Sequence, residues 1–221
     1  MITLLTSIVQ IISMLIMEPW RQFGRTRALV DLRSGMTKEK AQMSLTEKQL
    51  TELWDKQALH DNLMMYVRGA DRHDRELMKS TYWRDSFDDH GAYIGDGHGW
   101  ADAAMGWHDK IHSCNHHVSN VYSEIDGNRA KRESMFVCVV PFKDPEVTMF
   151  QAGRYRVLCE KRDGIWKVLH RTCVWDWIDV RPINSDWEVV NVPRMSHWGA
   201  WHPEDPIYLD WVTSPPTEYP R

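Results

Sequence analysis

The hydrophobic period of this chain changes once along its length, and that change sets the fold class. Leu50, Leu53, Trp54, Leu59, Leu63, Tyr66, Val67 and Ala70 recur at helical spacing, which draws one apolar stripe along a long helix. Ser44-Leu45-Thr46-Glu47-Lys48-Gln49 opens it: Thr46 and Gln49 have capping-box spacing, and Leu45 with Leu50 can act as a hydrophobic staple. The stripe stops at Asp71-Arg72-His73-Asp74, where Asp74 is placed to cap a second helix from Arg75 to Tyr82. Asp85 to Gly91 then leads into a short strand or turn. A third helix is expected from about Gly99 to Ile111, after the Gly95, Gly97 and Gly99 loop. From His116 onward the period is two. Val118 to Ile125, Glu133 to Phe142, Phe150 to Lys161 and Ile165 to Trp177 are rich in β-formers, and Asp126-Gly127, Pro141 with Pro145, and Asp163-Gly164 punctuate them.

Helices followed by an antiparallel meander describe an α+β chain. At 221 residues with 43% hydrophobic composition, one core with tails is the economical organisation. Three segments follow: residues 1–44, residues 45–179 as the domain, and a Trp- and Pro-rich stretch over 180–221 with Trp187, Trp198, Trp201 and Trp211. That last stretch is expected to drape over the sheet or a pocket mouth. Met1 to Met17 is apolar but shorter than the roughly 20 residues of a membrane span, and it lacks a basic leader and a cleavage site. It reads as a misassigned start or a weak anchor, with Arg21, Arg25, Arg27 and Arg33 able to face a membrane. A net charge of -4 leaves no basic stripe for nucleic acid. Cys114, Cys138, Cys159 and Cys173 show no CxxC spacing, so reduced thiols in a cytoplasmic protein are expected.

Four residues carry the chemistry that this pattern allows: Tyr66 and Asp71 at the end of the first helix, His116 before a strand, and Arg171 inside the last one. Histidine trades a proton near neutral pH, and a carboxylate can fix its tautomer. Strict alternation puts Leu169, Arg171, Cys173 and Trp175 on one face, which leaves a lone Arg among apolar neighbours. His108, His112 and His116 recur every four residues and, with Asp89 and His90, raise a metal site. A helix ending near Ile111 breaks that alignment, so no metal is assigned. Asp88-Asp89-His90-Gly91 reads first as a turn, with His90 a secondary pocket candidate.

Tyr66-Val67-Arg68-Gly69-Ala70-Asp71, the His116-x-x-x-Asn120 step, and Arg162-Asp163-Gly164-Ile165-Trp166-Lys167 running to Arg171 resemble the SnoaL-like branch of the nuclear transport factor 2-like superfamily. The likeness is greatest to the subgroup with bile acid 7α-dehydratase, hexachlorocyclohexane dehydrochlorinase and, more distantly, scytalone dehydratase. The resemblance implies a cone of three N-terminal helices packed on a strongly curved antiparallel sheet around an apolar pocket. It implies that His116 is a general base, that Asp71 orients it, that Arg171 balances charge at the leaving group or carbonyl, and that Tyr66 donates a hydrogen bond. Leu63, Val67, Asn120, Leu169 and Trp175 are the pocket candidates. The reaction would be a dehydratase- or isomerase-like elimination on a small hydrophobic alicyclic, steroid-like or aromatic compound, without cofactor. A homo-oligomer, a trimer by preference, is expected. The dehydrochlorinase has a lysine where this chain has Tyr66, so the dehydratase variant fits better. Two alternatives stay open: a non-catalytic ligand-binding protein of the same family, and the small subunit of a ring-hydroxylating dioxygenase.

Because the first capping signal stands at Thr46, a chain lacking residues 1–42 is expected to fold with a nearly unchanged melting temperature. Thermal unfolding of the truncated chain checks this, and a large drop would show that the segment packs on the domain.

Overall fold

The computed structural model describes residues 45–183 and 199–208, all the elements lying in the unit Glu47–Arg221. Residues 1–44, with the expected weak anchor, and Trp187, Trp198 and Trp211 lie outside the described residues.

Helix α1 (Glu47–Arg72) starts immediately after Thr46. Only its second part carries the core: Leu59, Leu63 and Tyr66 are buried, while Leu50, Leu53 and Trp54 remain exposed, so the expected stripe is half used. Past His73, whose φ is +52°, Asp74 caps α2 (Arg75–Ser80) by accepting from the Leu77 amide at 3.0 Å. A Cβ on Gly69 would stand 2.8 Å from the Met78 nitrogen, so this glycine lets the two helices touch backbone to backbone.

Strand β1 (Tyr82–Asp89) follows, then β2 (Ile94–Gly95) and α3 (Gly97–Met105), which Asp96 caps through the Gly99 amide. The third helix therefore ends about two turns earlier than its composition suggested. Four long strands complete the chain: β3 (Asn115–Asp126), β4 (Arg129–Pro141), β5 (Val147–Arg162) and β6 (Ile165–Pro182). The strand order is β2-β1-β6-β5-β4-β3, a mixed sheet in which β3 to β6 form the antiparallel meander and β1 pairs parallel with β6. The β5–β6 turn has positive φ at both Asp163 and Gly164, the backbone that matches strand twist in a tight hairpin. Strand β6 runs to Pro182, past the boundary expected at residue 179.

Regular alternation on β4 and one slip on β6 decide which side chains face inward. On β4 the alternation is regular and buries Ala130, Arg132, Ser134, Phe136, Cys138 and Val140. On β6 the register slips between Val168 and His170, so Leu169 is the bulged residue. Val168 and Arg171 are consequently both buried, and Leu169 does not share the face of Arg171 and Cys173 as strict alternation required. Phe136 is a core residue at 1% exposure.

Helix α1 is anchored on the sheet by polar groups as well as by its apolar face. Buried Asp55 accepts from the Trp166 indole at 2.8 Å and from Lys161 at 2.8 and 3.0 Å. Residues 199–208 pack on the α1–α2 corner instead of the sheet: the His202 amide donates to the Arg72 carbonyl at 2.6 Å, and Trp201 stacks on His73 at 4.0 Å. Burial and nearby His108 hold His73 at about 4, so that ring is neutral where it meets Trp201.

Asp55→Ala leaves a lysine and an indole N–H without their acceptor and is expected to cost about 2–3 kcal/mol of stability. Urea denaturation of the variant against the parent measures it; an unchanged midpoint would mean that this anchor contributes nothing.

Candidate active site

A cavity of about 260 Å³ lies between α1, α3 and the inward faces of β4, β5 and β6. Its walls are mostly apolar and aromatic, with Trp100, Trp107, Phe136, Phe142 and Trp175 among them, and its polar groups are few: Tyr66, His73, His90, His116 and Gln151, with the thiols of Cys114 and Cys138. A larger hollow of about 630 Å³ is lined by Lys131, Glu133, Arg156 and His170 among others. Those four are exposed strand residues, and none of the candidate residues sits there, so the smaller cavity is the chemical one.

The end of α1 and the start of β3 meet at this cavity. Asp71, in the last helical turn, receives the His116 backbone N–H on both oxygens at 3.1 and 3.0 Å, and its Oδ1 lies 2.6 Å from His116 Nδ1. The carboxylate therefore fixes both the position and the ring orientation of the histidine, and with the proton on Nδ1 the free acceptor is Nε2. Adjacent His117 is exposed, as strand alternation demands. His116 lines the cavity and Asp71 stands behind it.

The β3–β4 register sets His116 directly opposite Cys138. Cys138 Sγ lies 3.6 Å from Cys114 Sγ, which is 3.7 Å from His116 Nδ1. The Cys114 hydrogen bond and the His116 charge pull the Cys138 thiol down against its burial. Burial opposes charge on His116, but Cys138 and Asp71 outweigh it and push the imidazole up. The push from sulfur exists only when Cys138 is ionised. With a neutral thiol opposite, His116 answers to Asp71 and burial alone.

A second histidine–carboxylate pair faces the same cavity. Asp88 and His90 are two apart near the end of β1 and so share a face; His90 Nδ1 is in short contact with Asp88 Oδ1, and Tyr82 donates to Asp88 Oδ2 at 2.6 Å. His90 stacks on Trp100 at 3.9 Å, and its Nε2 lies 3.3 Å from the Tyr66 hydroxyl, which also accepts from the Trp100 indole at 3.0 Å. Burial drives His90 down more than Asp88 raises it, so this imidazole stays neutral. The signal was present as Asp-x-His at strand spacing, and it was masked by the turn-like Gly91 that follows.

Arg171 stands elsewhere than expected. It is fully buried, is not a lining residue, and lies 3.6 Å over the Tyr66 ring, with Tyr155 and Tyr82 at 5.0 and 5.1 Å. Among the described residues its guanidinium nitrogens make no hydrogen bond. Burial works against its charge, and Tyr82, Tyr66 and Asp88 outweigh that and keep it protonated. The nearby strand carboxylates Asp176 and Glu160 pair with Arg154 and Arg162.

Of the expected pocket residues, Trp175 lines the cavity and four others do not. Leu63 is buried in the core, while the α1 residues that reach the cavity are Tyr66 and Ala70, one turn apart, with His73 following just past the helix end; Val67 falls beside that row. Asn120 sits at the β3 bulge with φ +51° and is exposed, bonding Met135 Sδ at 3.1 Å. Leu169 is displaced by the β6 bulge. His108 and His112, exposed and beyond the end of α3, form no cluster with His116; among the described residues the grouping with metal-ligand spacing is Cys114, His116 and Cys138.

The SnoaL-like domain family matches residues 51–172, more than half of the chain and all of the elements that build the cavity from α1 to Arg171. The chain belongs to the SnoaL-like family. Solved structures place this SnoaL-like protein in the nuclear transport factor 2-like fold. A hexachlorocyclohexane dehydrochlorinase of type 2 superposes with a TM-score of 0.57 at 18% identity, covering 62% of this chain and 98% of that one. A candidate scytalone dehydratase from Novosphingobium aromaticivorans gives 0.55 at 17%, covering 61% and 92%. The type 3 dehydrochlorinase from Novosphingobium barchaimii gives 0.55 at 19%, covering 59% and 92%. No curated protein sequence matches. No helix among the described residues is long and apolar enough to cross a membrane.

The two histidines of this SnoaL-like cavity are biased in opposite directions. Imidazole titration by NMR is expected to find His90 below and His116 above the ordinary value near 6.5. Cys138→Ala is expected to bring His116 down; a His116 value that ignores this substitution would remove the sulfur from the account.

Proposed function

We propose that this SnoaL-like protein is a cofactor-independent lyase, dehydratase- or isomerase-like, that removes a proton from a small hydrophobic ring compound. The observation that carries the reading is the Asp71–His116 hydrogen bond of 2.6 Å at the wall of a largely apolar cavity. In the elimination, His116 Nε2 takes a proton from carbon, the C–H electrons form the double bond, and the adjacent hydroxyl or halide leaves with its own electron pair. Asp71 holds the tautomer and stabilises the imidazolium. Tyr66, whose phenol burial keeps protonated, donates a hydrogen bond toward the leaving group by turning its O–H away from His90 Nε2. Arg171 acts through the Tyr66 ring and so is a positioning residue, with no contact to substrate. The cavity, about 260 Å³, falls just below the usual ligand-pocket sizes of roughly 300–1,000 Å³, which favours one or two rings over a steroid. Exposed Met135, Val137 and Trp177, on the face of the sheet away from the cavity, offer the surface on which a homo-oligomer, a trimer by preference, would assemble.

The opposite bias of the two imidazoles favours a second division of labour, in which neutral His90 accepts the proton and protonated His116 serves the leaving group. One series separates the two. His116→Ala is expected to lower turnover of a hydroxylated ring substrate by about a thousandfold, and Asp71→Asn to be severe as well, both with substrate binding and melting temperature retained. A halide leaving group needs no proton, so it rescues whichever variant lost the acid and fails to rescue the one that lost the base. Full activity in His116→Ala would end both versions.

A further inference from the structure

We propose that Cys114, His116 and Cys138 form a three-ligand site for Zn²⁺ in the cavity wall, and that the bound ion takes His116 out of proton transfer. The first half stands on geometry alone; the second rests on the role proposed for His116.

The donor atoms already have the spacing that the ion needs. Tetrahedral zinc with Zn–S near 2.3 Å and Zn–N near 2.0–2.1 Å holds its sulfurs about 3.8 Å apart and sulfur from nitrogen about 3.6 Å. Here the Cys114 and Cys138 sulfurs are 3.6 Å apart, Cys114 Sγ is 3.7 Å from His116 Nδ1, and the three ligand atoms lie within 4.8 Å of one another. Two of the donors sit on strands, His116 facing Cys138 across the β3–β4 ladder, and the third, Cys114, immediately precedes β3. All three line the cavity, so a fourth position opens toward it for water or a ligand.

The chemistry selects a soft cation. Two thiols and an imidazole suit zinc and disfavour magnesium or calcium, which take oxygen. Loss of two thiol protons on binding gives a neutral Zn(Cys)₂ unit, which a mostly apolar wall tolerates better than a lone thiolate. With the ion on Nε2, Asp71 at 2.6 Å from Nδ1 takes the place of the carboxylate that commonly backs a metal-bound histidine. If the ion takes Nε2, Asp71 keeps its hydrogen bond; if it takes Nδ1, the proton moves to Nε2. Either way His116 has no free lone pair for a substrate proton.

The test uses the full chain, reduced with a phosphine and titrated with Co²⁺ as the spectroscopic stand-in for Zn²⁺. Expected are one equivalent bound at micromolar concentration, tetrahedral cobalt bands with thiolate-to-cobalt charge transfer, and their loss when Zn²⁺ is added. Cys114→Ser and Cys138→Ser should each remove the charge-transfer signal or weaken binding at least tenfold, and Asp71→Asn should weaken it by about 10–100-fold. A second measurement needs no variant: Zn²⁺ should protect Cys114 and Cys138 from alkylation in the native chain, read by mass spectrometry. Cobalt bands that survive loss of both cysteines, or alkylation of Cys114 and Cys138 unaffected by Zn²⁺, would overturn the site. Zinc that binds without inhibiting turnover would overturn the competition for His116 while leaving the metal site standing.

Discussion

A guanidinium with no solvent exposure and, among the described residues, no hydrogen bond is the constraint around which this interior is arranged. Arg171 cannot give up its charge, and an isolated buried charge is too costly to keep without compensation. The compensation is spread over three tyrosine faces and one carboxylate, Asp88, which stands beside Arg171 in the parallel β1–β6 register. Asp88 in turn fixes Tyr82 and His90, and Tyr66 carries the hydroxyl that His90 and Trp100 share. One charge thereby positions half of the cavity without reaching it. The bulge at Leu169 is what aims it inward, because without that slip Arg171 would face away from Val168's side of the sheet.

The other half depends on a different device, the junction of a helix end with a strand start. Asp71 closes α1 and accepts three hydrogen bonds from a single residue, His116, so the same carboxylate joins α1 to the sheet and orders the imidazole. Structural and chemical duties coincide there. The two halves then differ in how they treat positive charge: Arg171 and burial keep His90 neutral, while Asp71 and an ionised Cys138 favour protonation of His116. Groups pushed apart in this way can act as acid and base in one small volume.

Much of the scaffold was legible in the residues. Thr46 and Asp74 marked helix starts, and Asp163-Gly164 marked a hairpin, because capping and positive φ are local demands that few side chains meet. The dyad was legible only through resemblance, since residues 45 positions apart have no local signal of meeting. The bulges were not legible. Each inverts the inward face of a strand by one residue, and nothing in Val168-Leu169-His170 or Ser119-Asn120 announces it, so Leu169 and Asn120 were assigned to a wall they do not form. His90 was ranked only as a secondary candidate for the opposite reason: a turn signature at Gly91 overrode strand spacing that was correct.

Cys138 is where the two questions, acid or base and proton or metal, become one. The β3–β4 register forces whatever side chain stands at this position against the His116 ring. A valine there would leave the dyad to itself, and a serine would offer a hydrogen bond that never ionises near neutral pH. A thiol drawn down by Cys114 can do both: neutral, it leaves His116 free to accept a proton; ionised, it holds His116 protonated or, with Cys114, presents soft ligands beside it. The resting chemistry of the cavity is therefore set less by the dyad, which any family member of this kind could carry, than by the sulfur pair that the strand ladder places next to it.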